Sequence, residues 1–201
     1  MFGWGAMTGS LPEGNDTMTR DDAEELLKRY VTNERMRDHC AAAEAVLRAL
    51  ARRLGRDEEK WGIAGLLHDI DIEAVDGDLT RHGLEAERIL TEAGLDPEIV
   101  EAVKRHNERA CGLSRCCEFQ HALAAGETVT GLIVATALVY PDRKLAGVKV
   151  KSITKRMKER AFAASVNRDT IGECENIGLP LEEFVGIALT AMQGIAPRLG
   201  L

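Results

Sequence analysis

Three features of this 201-residue sequence predict an all-α protein. Aromatic residues make up only 4% of it against 45% hydrophobic residues, so alanine and the aliphatic side chains carry the apolar content. That balance favours packed helices, because sheets draw on β-branched and aromatic residues. Apolar residues also recur at helical spacing, as in Val46, Leu47, Leu50, Ala51 and Leu54. Finally, capping residues and Gly or Pro stops recur at helix-length intervals, with no convincing set of strands and no internal repeat.

Residues 1–17 are glycine-rich and read as a flexible lead-in. Thr19 followed by Asp21 and Asp22 predicts a capped helix running to Tyr30. Asn33 or Thr32 caps the next, which carries His39 on the inward face and stops at Gly55. Asp57 caps a third, carrying Trp61, Ala64, Leu67 and His68. After a loop at Asp76-Gly77-Asp78, Thr80 is expected to cap a helix starting at Arg81-His82 and ending at Gly94. Asp96-Pro97-Glu98 starts the next helix, which reaches His106 near its end.

Residues 108–117 read as a loop holding Cys111, Cys116 and Cys117. A long helix from Glu118 to Val139 ends at Pro141, with Glu127, Thr130 and Val134 on one face. Lys149 to Lys151 is compatible with extended chain. Shorter helices are then expected over 152–162, 167–176 and 181–199. The implied division is a lead-in at 1–17, a helical domain at 18–140, and a helical extension at 141–201 packed on the same core.

The net charge of −7 argues against nucleic acid as a partner of the whole chain. It hides an asymmetry. Nine Lys or Arg and one acid, Glu159, fall between Arg143 and Arg168. This basic run reads either as a solvated face or as a phosphate-facing segment, with Lys151, Lys155 and Arg168 as the candidate substrate cations. Five cysteines, without a basic-then-apolar leader ahead of them, point to free thiols in a reducing cytoplasm. The longest apolar run, Val129 to Tyr140, falls short of the ~20 residues a membrane span needs and reads as a buried helix.

Of the five histidines, His39, His68, His82 and His106 fall on or beside the helices around the pair His68-Asp69. Imidazole and carboxylate together suit divalent transition metals. A carboxylate can bridge two such ions, and paired ions suit phosphoryl transfer. His121 fits no such pattern and reads as a surface residue.

The order His39, then His68-Asp69 within Gly-Leu-Leu-His-Asp-Ile-Asp, then His82, His106 and a late acid resembles the HD-domain superfamily of metal-dependent phosphohydrolases. The resemblance covers roughly residues 25–140, with Thr130-Gly131-Leu132-Ile133 a further local match. Lys151-Ser152 and Phe162-Ala163-Ala164 resemble the C-terminal extension of an uncharacterised bacterial branch of that superfamily.

The resemblance implies a helical bundle around one or two divalent ions: iron, manganese, zinc, cobalt or nickel, with magnesium also compatible. His39, His68, Asp69 and Glu127 would hold one ion. His82 and His106 would complete the second, with Asp69 between them. The family places Asp at the last position, so Glu127 is a departure that extends the carboxylate by one bond, about 1.5 Å. Asp69 and Asp71 are the candidate catalytic acids, Asp71 to orient water or move a proton. The implied activity is hydrolysis of a phosphomonoester or nucleotide-type substrate. Two other readings share the same ligands: a non-catalytic nucleotide- or metal-binding protein, and a di-iron oxygenase. No membrane partner is expected, and a homodimer is left open.

Overall fold

Polar side chains take over the unpaired amides at the start of most helices in the first half of the chain. The computed structural model describes residues 18–201, and the expected flexible lead-in lies outside them. Helix α1 (Arg20–Tyr30) begins in a capping box, with the Asp22 amide donating to Thr19 Oγ1 and the Thr19 amide donating to Asp22. Asn33, not Thr32, caps α2 (Glu34–Leu54), because Thr32 donates its amide and hydroxyl to Glu73 instead. Asp57 caps α3 (Glu58–Leu67), and Asp96 caps α5 (Pro97–His106) with proline in its first turn.

Two long helices make the centre. The first is α2, which packs on α3 and on the second, α7 (Glu118–Leu138). Leu47, Leu50, Leu66, Leu67, Leu123 and Leu132 are fully buried among them. Trp61 stacks on Phe119 with ring centroids 5.2 Å apart, closing the side where α3 meets α7. By length and composition α7 could cross a membrane, yet its apolar residues fill this core.

The α2–α3 contact depends on a glycine. A methyl group at Gly65 would lie 2.8 Å from the Ala43 carbonyl oxygen, so only glycine lets the two backbones approach this closely. That approach places His39, on α2, beside His68, at the end of α3.

After Pro141 come α8 (Val150–Met157), α9 (Arg168–Gly172), α10 (Leu181–Gly194) and α11 (Ala196–Leu199). A 3-10 turn at Leu145–Gly147 precedes α8, and another at Glu173–Ile177 follows α9. These pieces pack on α2 and α7, and their buried Phe184, Ile153 and Ile171 belong to the same apolar cluster as the central helices. All described secondary structure is helical, which is the class the sequence predicts.

Several boundaries differ from expectation. The helix expected at Arg81 starts three residues later, as α4 (Leu84–Glu92). Thr80 caps nothing, because its amide and hydroxyl both donate to Asp78, forming a local turn that competes with the helix. Gly83, at φ 91°, then breaks the path, and Lys104 O would lie 3.2 Å from a methyl group there. Within the expected loop 108–117, Glu108–Cys111 makes one helical turn, α6. The helix expected to reach Phe162 stops at Met157, and the one expected over 181–199 is interrupted before Pro197, which has no amide to donate.

Candidate metal centre

Four imidazoles converge on one buried carboxylate. Asp69 Oδ2 lies 3.5 Å from His39 Nε2 and 3.4 Å from His68 Nε2. Its other oxygen, Oδ1, lies 3.1 Å from His82 Nε2 and 3.5 Å from His106 Nε2. Within each pair the Nε2 atoms face one another, at 3.1 Å for His39 and His68 and at 2.9 Å for His82 and His106. Two groups of donors able to hold a metal result, His39-His68-Asp69 and Asp69-His82-His106.

In every ring the other nitrogen is engaged. His68 Nδ1 donates to Gly65 O at 2.8 Å, and His106 Nδ1 donates to Val103 O, each three residues back along its own helix. His39 Nδ1 lies 3.1 Å from the hydroxyl of Thr130, which itself donates to Glu127 O. That hydroxyl therefore accepts from His39. His82 Nδ1 donates to Asp71 at 2.8 Å. With Nδ1 donating in all four rings, Nε2 is in each the nitrogen that faces the centre and is left to ligate. This is how metal-ligating histidines are held in the required tautomer.

The donor set fits a metal by distance as well as by type. Imidazole donors about 2.0–2.1 Å from a divalent transition metal would stand roughly 3–3.4 Å from one another. The observed Nε2 separations, 3.1 and 2.9 Å, are close to that. Charge agrees. Burial holds His39 down, to about 4, and also lowers His106, so both rings are neutral donors. Burial opposes the ionised Asp69, but the surrounding histidines outweigh it and keep the carboxyl well below its usual range. Burial likewise opposes a charged His82, yet the hydrogen bonds to Asp69 and Asp71 raise it to about 10. The negative charge that holds a proton there is the charge that would attract a cation.

Asp71 sits behind His82. It is fully buried, with Oδ1 accepting from His82 and Oδ2 accepting from the amides of Gly83 and Ala86 at 2.8 and 2.9 Å. It thus caps α4, whose own N-cap residue is glycine, and orients a ligand at the same time. All three bonds are made to groups of the protein itself.

Glu127 stands apart from both donor groups. Its Oε2 is 4.0 Å from His39 Nε2, while Oε1 accepts from the Thr128 hydroxyl. Burial raises its carboxyl to about 7. His121 pairs with Glu173 at 2.8 Å rather than standing in solvent.

The expected substrate cations are elsewhere. Lys151 and Lys155 are exposed on α8, and Lys155 lines a space with Thr136, Tyr140 and Arg156. Arg168 is buried, and its two terminal nitrogens donate to the carbonyls of Phe162, Ala163 and Val166, while its buried Nε has no hydrogen-bond partner among the described residues. It holds together the loop that follows α8. The cation that shares a cavity with His39 is Arg35, one helical turn earlier on α2. Sequence reasoning passed over both Arg35 and the Thr130 hydroxyl. The signal for Arg35 was its i−4 spacing from His39.

The family model described as HD domain matches residues 36–137, just over half of the chain. That span contains all four converging histidines together with Asp69, Asp71 and Glu127. No curated protein and no solved structure matches the chain.

Proposed function

Because the chain belongs to the HD-domain family, we propose that it is a metal-dependent phosphohydrolase acting on phosphomonoesters. The observation that carries this reading is the division of Asp69, one oxygen to each histidine pair. Such an arrangement suits two divalent cations held side by side, and two-cation sites suit displacement at phosphorus. His39, His68 and Asp69 would hold one cation, and Asp69, His82 and His106 the other. Cations held there supply Lewis acidity, lowering the pKa of water and neutralising charge on phosphoryl oxygens.

The rest is the work of the chain itself. Thr130, Gly65, Asp71 and Val103 fix the four rings. Burial of His68 and Asp69 keeps bulk water from the inner wall of the site and strengthens every charge interaction there. Glu127 closes the His39 side with a carboxyl group that burial disposes to carry a proton near neutrality.

A second reading draws on Glu127. Because Thr128 holds one of its oxygens away from the histidines, the first donor group is completed by three residues alone. A protein that binds metal and phosphate without turnover would share that feature.

The test is phosphate release from a panel of monoesters by the metal-loaded protein, run under argon and in air with oxygen uptake followed in the aerobic arm, and with metal content measured by mass spectrometry. Turnover without oxygen, together with loss of both metal and turnover in Asp69→Ala, is the expected result. Oxygen consumption without phosphate release would replace the hydrolase with an oxygenase. Stoichiometric binding without turnover would leave only the binding protein.

A further inference from the structure

Beside the Asp69 centre, between α2 and α7, lies a cavity of about 590 Å³. That volume is in the range of small-molecule sites. His39 and Thr130 belong both to the cavity lining and to the metal centre. The two helices run antiparallel, since Gly126 meets Leu47 while Thr130 meets His39. The cavity can therefore follow both helices outward, toward the N-terminus of α2 and the C-terminus of α7.

Its walls are aliphatic and small: Ala42, Gly131, Val134, Ala135, Leu138 and Leu199. Among the described residues that line it, His39 carries the only ring, so a nucleobase would find no aromatic face on which to stack. Leu201 and two residues with charged side chains, Arg35 and Asp38, complete the lining. Asp38 Oδ1 lies 4.0 Å from Arg198 Nε. Arg35 is exposed, and its guanidinium has no carboxylate within 4.0 Å among the described residues. It sits one turn from His39, about 6 Å along the helix axis. A cation with no carboxylate partner among the described residues, at the end of an aliphatic space that begins at a phosphate-compatible centre, suits a second negative group.

We infer that the substrate is a phosphomonoester of an aliphatic alcohol carrying a second anionic group at its far end. The phosphate lies at the Asp69 centre, the chain fills the space between α2 and α7, and Arg35 receives the distal anion. Substrate class is thereby set by the leaving group. The inference rests on the phosphohydrolase reading above.

The test uses the manganese-loaded protein under argon and measures calorimetric binding of alkylphosphonates from methyl to hexyl, then of the hexyl compound bearing a terminal carboxylate. Affinity is expected to rise about fourfold per methylene over the first few carbons. The terminal carboxylate should add roughly tenfold more. Arg35→Ala should remove the carboxylate gain and keep the chain-length slope, whereas Ala135→Trp should flatten the slope. A flat slope in the unaltered protein, or a carboxylate gain that survives Arg35→Ala, overturns the inference. Hydrolysis of methyl phosphate, measured in parallel, separates the two claims. With hydrolysis and a flat slope, the leaving-group assignment fails and the phosphohydrolase stands. With a slope and no hydrolysis of any monoester, the reaction fails and the ester substrate fails with it.

Discussion

Replacing Asp71 by asparagine tests whether His82 is held in the ligating tautomer. The carboxylate is fully buried and accepts three hydrogen bonds, two of them on Oδ2 from the Gly83 and Ala86 amides. Asparagine has one accepting oxygen, and it must serve those two amides. Its NH2 group then faces His82 Nδ1, which at present donates to Asp71 Oδ1 at 2.8 Å. Two donors cannot face each other, so His82 gives up its Nδ1 proton and keeps the one on Nε2, the nitrogen 3.1 Å from Asp69 Oδ1. The ring is then the wrong tautomer for a ligand, the same logic by which an Asp-to-Asn change disables a catalytic histidine. Loss of such a supporting partner costs about 10–100-fold in metal affinity, or about 1.4–2.7 kcal/mol. Fold stability falls less, by about 1–2 kcal/mol, as charge-assisted bonds to two amides become neutral ones. Asp71→Ala reverses the balance, leaving two buried amides unpaired at about 1–3 kcal/mol each. Metal affinity is read by competition with a chelator, stability by urea unfolding, and the tautomer by nitrogen NMR of the ring. Unchanged affinity for both metal equivalents in Asp71→Asn, with the proton still on Nδ1, would refute the reasoning.

Two further outcomes follow from geometry away from the metal. Gly65→Ala places a methyl group 2.8–3.0 Å from backbone atoms of Ala43 and Glu44, so α2 and α3 must separate; the expected loss is about 1–3 kcal/mol in urea unfolding, and a change below about 0.5 kcal/mol would show that the contact is not tight. Burial opposes the ionised Glu173, but Arg115 and His121 outweigh it and lower the carboxyl below its usual 4.5. Its contribution to stability is therefore present above that value and lost as pH falls through the lower, folded one. Urea midpoints measured from pH 6 downward should fall less steeply below 4.5 in Glu173→Gln than in the unaltered protein, and parallel curves would remove Glu173 from the acid response.

What the sequence made legible was local. Asn33, Asp57 and Asp96 announce their helices because a cap and the amides it serves lie within three residues of each other. The histidines announce a metal centre because their residue type is scarce and their order resembles a family. The start of α4 was hidden, since the group that caps it, Asp71, lies 12 and 15 residues from its amide partners. Arg168 was misread for the same reason: in sequence it closes a basic run, and only the folded loop shows that its charge is spent on carbonyls. The cavity beside His39 had no local signature at all, because α2, α7 and α11 meet there from separate parts of the chain.

The four rings differ in what holds them, and the difference bears on how such a centre can change over generations. His68 and His106 are oriented by main-chain carbonyls, those of Gly65 and Val103. No single codon change deletes a carbonyl. His39 and His82 are oriented by side chains, Thr130 and Asp71, and one base change can remove either. Each histidine pair contains one ring of each kind. Each half of the centre therefore has a constant member and an adjustable one, and drift at Thr130 or Asp71 would retune one half while leaving the other as it was.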